Sequence, residues 1–332
     1  EMIALIENLE ADVIETLIMR EDSITTATYI GKGKIEELRA LALEKEAKTV
    51  VINDNISPSQ KKELEASLEI KVLDRTEIII AIFASRALTK EAQLQVEKAQ
   101  LQYLLPRLTH LWTHLSRQQG GIGMKGVGEK QIEIDRRLVK SRIARLNDDL
   151  EDVKKYRIVQ RKKRLKGDLP SFALVGYTNA GKSSLFNFFK GKTVEAKDQL
   201  FATLDTVTKR VWLTDKEFYI ADTVGFITNL PHFLVDSFKA TLEEVLICDY
   251  LIHVIDYSNS HYDKQMEAVN QILVELGMNE KPIINVYNKC DLVDDSLVDN
   301  QDKLIVSIKT GKNMDQFKDR ISKIIEGHQS KR

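Results

Sequence analysis

The sequence predicts an α/β protein in three parts: a small α/β domain over residues 1–86, an antiparallel helical hairpin over 87–167, and a sheet domain over 168–332. Its 332 residues exceed the usual size of one domain. Short apolar runs alternate with helical patterns in the first and last parts, which is typical of parallel sheets covered by helices. Between them, leucines recur at helical spacing along two long stretches. The last part is therefore expected to be a mostly parallel sheet with helices on both faces.

The composition is that of an ordinary globular protein, with 43% apolar and 30% charged residues. Apolar runs such as residues 78–84 are too short to span a bilayer, and no export signal opens the chain. Its two cysteines, Cys248 and Cys290, lack Cys or His neighbours at metal-ligand spacing, which disfavours zinc and suits a reducing compartment. We expect a cytoplasmic protein with no membrane span.

The first part alternates extended and helical patterns. We expect strands at residues 13–19, 28–30, 49–53 and 70–73, and a helix over residues 31–47. A second helix is predicted to begin at Ser57 and Pro58, because Ser caps free amides and Pro is tolerated at the first helical position.

Two long apolar stripes predict the hairpin. A stripe with a period near 3.5 residues is buried best against a similar stripe, so two antiparallel helices are expected. Pro106 lies within the first stripe and has no amide to donate, which predicts a kink. The stripes consist of Leu94, Leu101, Leu104, Leu108, Leu111 and Leu115, and of Ile132, Val139, Ile143, Leu146, Leu150 and Val153.

A glycine-rich loop at residues 116–130 is expected to join the two helices. Its five glycines are costly to order, so the loop is either tolerated as a flexible connection or approaches a partner closely. Residues 129–166 contain 14 Lys/Arg and 7 Asp/Glu, which is consistent either with binding to a polyanion or with a merely solvated helix face. Arg117, Lys125 and Lys130 around the glycines favour a phosphate-rich partner.

A phosphate-binding loop follows the strand predicted at residues 171–175. Residues 176–183 read Gly-Tyr-Thr-Asn-Ala-Gly-Lys-Ser and precede a helical pattern, the context that this motif requires. Its amides and the helix N-terminus bind phosphate, Lys182 reaches the β- and γ-phosphates, and Ser183 ligates Mg²⁺. The residues predicted to bind nucleotide here are Gly176, Tyr177, Thr178, Asn179, Ala180, Gly181, Lys182, Ser183 and Ser184.

Two further segments are expected near the γ-phosphate. Asp222 ends a predicted strand and can hold Mg²⁺ through water, and Gly225 can offer an amide to the phosphate. A mobile segment at residues 201–205 precedes the strand at 207–213 and can carry a threonine to the metal, although Thr203, Thr206 and Thr208 compete by spacing alone. These segments contribute Phe201, Ala202, Thr203, Leu204, Asp205, Asp222, Thr223, Val224 and Gly225.

The base-recognising residues are predicted after two later strands. The Asp291 carboxylate can accept hydrogen bonds from the ring N–H and the exocyclic amine of guanine, a pair that adenine does not present. A backbone amide at residues 307–309 can donate to the guanine carbonyl. The sequence therefore predicts GTP over ATP, bound by Asn288, Lys289, Cys290, Asp291, Ser307, Ile308 and Lys309.

In this order the motifs resemble the translation-factor-related P-loop GTPases, specifically the HflX family. The resemblance rests on residues 29–35, 120–123, 175–183, 200–205 and 221–227 and extends over nearly the whole chain. It implies a P-loop GTPase domain that hydrolyses GTP with Mg²⁺, and it selects Thr203, with Ser183, as metal ligand.

The resemblance also implies a partner. HflX-like proteins bind the large ribosomal subunit and can split stalled or stressed ribosomes, and their glycine-rich loop is expected to contact rRNA. Val127 and Lys130 depart from the family's common Pro and Thr, and the C-terminal extension of some relatives is missing. The RNA-contacting residues implied are Arg117, Gly120, Gly121, Gly123, Lys125, Gly126, Gly128 and Lys130.

The catalytic expectations centre on Lys182, Thr203, Gly225 and Asn179. Phe226 stands where many small GTPases carry a water-orienting Gln, and no arginine finger is evident, so basal hydrolysis should be slow and should rise on the large subunit. Asn179 either holds a K⁺ ion beside the phosphates or only stabilises its own turn.

Two other functions compete with this interpretation. One is a regulatory G protein that acts on a protein effector, with a merely structural hairpin. The other is an NTP-dependent RNA remodeller, which is disfavoured because residues 31–34 lack the full phosphate-loop spacing. The free protein is expected to be a monomer, with GTP and GDP as its nucleotide ligands.

Overall fold

The computed structural model divides into two compact units. The first contains residues 1–85 and 93–151, and the second contains residues 86–92 and 152–332. The residues of the predicted hairpin are thus divided between the two units. The structure describes residues 1–20, 24–108, 127–165, 169–191, 200–228, 230–231, 233–234, 237, 245–278, 280–294 and 303–330.

Among the described residues up to 165, helices predominate around one pair of strands. The strands are parallel, with Thr49 opposite Lys71. The elements are α1 (Met2–Glu7), α2 (Lys32–Glu44), β1 (Thr49–Ile52), α3 (Pro58–Leu68), β2 (Lys71–Asp74), α4 (Arg75–Arg86), α5 (Lys90–Leu104) and α6 (Val127–Leu165).

The start of α3 confirms the predicted helix signal. The Ser57 hydroxyl accepts from the Gln60 amide, the Gln60 side chain accepts from the Ser57 amide, and Pro58 is the first helical residue. This cap fixes α3 over a small apolar core shared with α2 and both strands. That core contains Ile30, Ile35, Ile56, Leu64, Leu68 and Val72.

Two strands predicted in the first part were wrong. Residues 13–19 are irregular, and Ile14 and Ile18 are 56% and 88% exposed, because no neighbouring strand covers their alternating pattern within the described residues. Residues 28–30 contribute only a bridge that closes a tight turn, in which Thr25 and Tyr29 exchange backbone hydrogen bonds of 3.0 and 2.9 Å.

The prediction of one kinked helix through Pro106 was also wrong. Helix α5 ends at Leu104, because the residue before a proline disfavours the α conformation and Pro106 has no amide to donate. Helix α6 begins at Val127, so Gly128 and Lys130 are helical and do not belong to the loop. The other predicted RNA contacts lie outside the described residues: Arg117, Gly120, Gly121, Gly123, Lys125 and Gly126.

The second unit contains a six-stranded sheet in the order β4-β5-β3-β6-β7-β8. Only β4 is antiparallel to its neighbour, which confirms the mostly parallel sheet. Its elements are β3 (Ser171–Val175), α7 (Lys182–Phe189), β4 (Val207–Leu213), β5 (Lys216–Asp222), β6 (Tyr250–Asp256), α8 (Tyr262–Glu275), β7 (Ile283–Asn288), a 3₁₀ turn (Cys290–Leu292), β8 (Leu304–Ile305) and α9 (Met314–Ser330).

The core of the second unit fixes where the loops of the sheet meet. Phe172 and Phe218 pack edge to face with ring centroids 5.3 Å apart, and Phe189 of α7 and Phe317 of α9 join the same buried cluster. Since β3, β5, β6 and β7 are parallel, their carboxyl ends lie at one edge of the sheet, where open α/β sheets bind ligands. The sequence also predicts a helix over residues 236–247, and most of these residues lie outside the described ranges.

Candidate nucleotide site

The phosphate loop, residues 176–183, turns sharply between β3 and α7. Gly176 and Gly181 have φ values of +147° and +102°, and Asn179 has φ +60°, a left-handed conformation that Asn tolerates. A Cβ on Gly176 would collide with the Val254 carbonyl oxygen. This left-handed backbone bends the loop around the N-terminus of α7, and the N-terminus of a helix is a favourable place for a phosphate.

Lys182 is enclosed within this loop. The residue is 6% exposed, and its ammonium group donates to the backbone carbonyls of Gly176 and Tyr177 at 3.0 and 2.7 Å. Burial lowers the pKa of Lys182 to about 8, and the negative charge of Asp222 offsets only part of that effect. A buried ammonium held by carbonyls is a favourable partner for a phosphate anion.

Three predicted metal-binding side chains converge beside Lys182. The Ser183 and Thr203 hydroxyl oxygens are 2.8 Å apart, and the Thr203 hydroxyl donates to Asp222 Oδ2 at 2.7 Å. The other Asp222 oxygen is buried without a hydrogen-bond partner in the described part of the chain, and burial raises the pKa of Asp222. Hard oxygen donors of this kind fit Mg²⁺, so Ser183, Thr203 and Asp222 could hold that ion, and its charge would stabilise the charge of a bound phosphate group.

The segment after β5 pairs directly with the phosphate loop. A Cβ on Gly225 would lie 2.8 Å from Thr178 Cα and 2.9 Å from Lys182 Nζ, so only glycine fits. The Phe226 amide donates to the Gly176 carbonyl at 3.1 Å, and the Thr178 amide donates to the Phe226 carbonyl at 2.7 Å. The Phe226 side chain is buried, so its place in the structure agrees with a packing role and not with orienting water.

Asn288 braces the base-recognition loops. Its amide donates to the Ala180 carbonyl at 2.9 Å, and its oxygen accepts from the Ile308 amide at 3.1 Å. Next to it, Lys289 forms a 2.8 Å ion pair with Asp256. Asp291 is exposed in the 3₁₀ turn, where its carboxylate is accessible to a base.

Two of the three amides predicted to donate to guanine have partners in the structure. The Ser307 amide donates to the Lys312 carbonyl at 3.0 Å, and the Ile308 amide donates to the Asn288 side-chain oxygen at 3.1 Å. Cys290 is buried with Ile255 and Tyr287, which agrees with a packing role.

Most of the predicted phosphate-side residues come together in one cleft, but several point their side chains elsewhere. Tyr177 bonds through its hydroxyl to Thr228, Leu204 is buried, and the Asp205 carboxylate accepts from residues 88 and 89. Thr203 is in the cleft, unlike Thr206 and Thr208. The cleft is lined by Thr178, Asn179, Gly181, Lys182, Ser183, Ser184, Phe201, Ala202, Thr203, Thr223 and Gly225.

Sequence reasoning missed two residues of β6. His253 is 1% exposed, and burial followed by the charge of Lys182 lowers the pKa of His253 to about 4. Asp256 ends the strand and pairs with Lys289. The sequence signal for Asp256 was its position at the carboxyl end of a buried apolar strand, and the same signal identified Asp222.

The sheet order, the phosphate loop and the guanine motif together define a P-loop GTP hydrolase. Three family models match the chain: a GTP-binding GTPase N-terminal region over residues 1–84, a GTP-binding GTPase middle region over 86–164, and a 50S ribosome-binding GTPase over 171–289. No helix in the described ranges is long and apolar enough to cross a membrane.

Curated relatives identify the family. The chain is 45% identical to the GTPase HflX of Caldanaerobacter subterraneus over 94% of this chain and 73% of that protein. It is 47% identical to the GTPase HflX of Escherichia coli over 80% of this chain and 63% of that protein. A crystal structure of SsGBP with GDP matches with a TM-score of 0.55 and 26% identity, covering 98% of this chain and 94% of that one. The protein belongs to the GTPase HflX family.

Asp291→Asn is expected to change the preferred base. The Asn side chain presents an N–H₂ donor where guanine also has a donor, whereas xanthine has a carbonyl there, so GDP affinity should fall by roughly 100-fold or more while xanthosine diphosphate gains affinity. Calorimetry with GDP and xanthosine diphosphate measures this change in the preferred base. Asp215→Asn, in the exposed turn between β4 and β5, is the matched control. Unchanged GDP affinity in Asp291→Asn would exclude this residue from base recognition.

Proposed function

We propose that this GTPase binds the large ribosomal subunit in its GTP state, splits or rescues stalled or stressed ribosomes, and leaves after hydrolysis. The observation that carries the proposal is the match of residues 171–289 to the family described as 50S ribosome-binding GTPases. Mg²⁺ is the proposed cofactor, with Ser183 and Thr203 as ligands and Asp222 acting through water.

The charge on α6 supports an RNA partner. This helix contains 39 residues, which corresponds to a length of about 58 Å. Arg136, Arg137, Lys140 and Arg145 are exposed along it, where they can pair with phosphates. Arg142 is instead used within the first unit, in a two-bond ion pair with Glu97 at 2.7 and 2.8 Å.

The catalytic parts of the cleft support slow hydrolysis by the free protein. Phe226 is buried and offers no side-chain hydrogen bond, and none of the described residues lining the cleft is an arginine. An arginine finger contributes roughly 10³–10⁵-fold in rate in other GTPases. The large subunit is proposed to restore part of that factor by ordering residues 201–205 and 226–232 around the phosphates.

The direct test compares GTP turnover alone, with isolated 30S subunits, with 50S subunits and with whole ribosomes. We expect stimulation by 50S and 70S particles but not by 30S, because the proposed contact lies on the large subunit. Co-sedimentation with a non-hydrolysable GTP analogue should exceed that with GDP. Equal turnover in all four conditions would contradict the proposal.

The predicted RNA contacts of the loop and of the first turn of α6 are tested by Arg117→Glu, Lys125→Glu and Lys130→Glu in combination. We expect weaker 50S binding with unchanged GDP affinity, and a salt dependence reduced by about 0.7–0.9 per lost phosphate contact in a plot of log affinity against log salt. The control carries the same charge change at Lys209, Lys264 and Lys323, which are exposed in the second unit. Equal weakening in both variants would mean that net charge, and not the loop, governs binding.

A K⁺ ion beside Asn179 is a second part of the proposed mechanism, because such an ion can supply charge that a finger would otherwise provide. Asn179 lines the cleft with Lys182 and Ser183. Replacing K⁺ by Na⁺ is expected to slow turnover of the wild type, and Asn179→Gly, which tolerates the positive φ, should lose that sensitivity. Identical turnover of the wild type in both salts would contradict the ion's role.

A further inference from the structure

Asp205 connects the phosphate-side segment to the start of α5. Its Oδ2 atom accepts from the Leu88 and Thr89 amides, each at 3.2 Å, and its Oδ1 atom accepts from the Thr89 hydroxyl. The Thr89 oxygen in turn accepts from the Ala92 amide at 3.2 Å. Asp205 and Thr89 therefore cap the first turn of α5 together.

The chemistry of a helix start explains why a carboxylate is placed there. The first amides of a helix have no partner within the helix, and its N-terminus carries partial positive charge. Thr89 has the usual side chain of an N-terminal cap, and Asp205 adds a full negative charge from a segment 116 residues away in sequence. All of these contacts lie within the second unit, which contains residues 86–92.

The other end of the same short segment faces the metal-binding side chains. Thr203 contacts Ser183 and Asp222, whereas Asp205 faces Leu88 and Thr89. Leu204 between them is 1% exposed, so residues 203–205 form one packed segment with one end at the cleft and the other at the start of α5. Cα atoms two residues apart are at most about 7 Å apart. A displacement of Thr203 is therefore expected to displace Asp205 as well.

We propose that Asp205 is a positioning residue that couples Mg²⁺ and γ-phosphate binding at Thr203 to the capping of α5. When Thr203 is held by the metal, Asp205 is held against Leu88 and Thr89, and the first turn of α5 is ordered. When Thr203 is released, the cap is released with it. The inference rests on the proposed metal role of Thr203.

The consequence reaches beyond the nucleotide domain through chain continuity. Helix α5 (Lys90–Leu104) begins in the second unit, and its residues from 93 onward belong to the first. Nucleotide state would thereby set the order of the helix that enters the first unit. Coupling of this kind is reciprocal. If Mg²⁺ and GTP binding at Thr203 stabilises the cap, breaking the cap must weaken the binding of Mg²⁺ and GTP by the same factor, typically about 5- to 150-fold.

The experiment compares Thr89→Val, which removes the hydroxyl, with Thr89→Ser, which retains it, and adds Asp205→Ala. One readout is the Mg²⁺ concentration that gives half-maximal GTP turnover. We expect this concentration to rise about fivefold or more in Thr89→Val and Asp205→Ala, and to stay near the wild-type value in Thr89→Ser and in the exposed control Asp215→Ala.

The second readout is hydrogen exchange of residues 88–92 with Mg²⁺ and either GDP or a GTP analogue. We expect slower exchange in the GTP-analogue state of the wild type, and no difference between states in Asp205→Ala. If Asp205→Ala fails to fold, the comparison of Thr89→Val with Thr89→Ser tests the coupling. Wild-type Mg²⁺ dependence in Thr89→Val, or no exchange difference in the wild type, would overturn the coupling.

Thr203→Ala separates this inference from the proposed metal site. A raised Mg²⁺ requirement in Thr203→Ala together with wild-type behaviour in Asp205→Ala and Thr89→Val would overturn the coupling alone. An unchanged Mg²⁺ requirement in Thr203→Ala would remove the metal role and the coupling with it.

Discussion

The burial of the Lys182 ammonium among backbone carbonyls is the constraint on which the nucleotide domain depends. A charge removed from water is costly unless it is paired, and here the pairing is incomplete, since burial holds the pKa of Lys182 at about 8. The carbonyls of Gly176 and Tyr177 accept hydrogen bonds from this ammonium in a loop that bends through left-handed backbone. An incoming phosphate supplies the missing negative charge, so the strained loop and the buried lysine are both explained by one ligand.

Hydrogen bonds from three parts of the domain hold the phosphate loop in shape. The Phe226 backbone pairs with it from the segment after β5, the Asn288 amide supports it from the end of β7, and the Thr178 hydroxyl accepts from the Phe201 amide at 2.8 Å. Two of these contacts, those of Phe226 and Phe201, come from segments that are expected to respond to the γ-phosphate. The loop that binds phosphate and the segments that sense it are therefore one hydrogen-bonded assembly, and base recognition is attached to the same assembly through Asn288.

The sequence was sufficient for features whose signal is local. The strand–loop–helix around Lys182, the acid at the end of β5, the motif after β7 and the cap at Ser57 each follow from neighbouring residues, and each was found where expected. Features that depend on a distant partner were missed. The pattern at residues 13–19 lacks a strand to pair with, the Ile308 amide is taken by Asn288, and Asp205 faces Thr89 across 116 residues of sequence. Local patterning carries no information about such partners.

Calorimetric titration of the wild-type chain with GDP, GTP, ADP and ATP in the presence of Mg²⁺ tests whether the cleft selects guanine nucleotides. We expect association with both guanine nucleotides. Because adenine leaves the Asp291 carboxylate without its paired donors, we expect adenine affinities weaker by about two orders of magnitude or more. Folded protein that binds no guanine nucleotide, or that binds ATP as tightly as GTP, would contradict it.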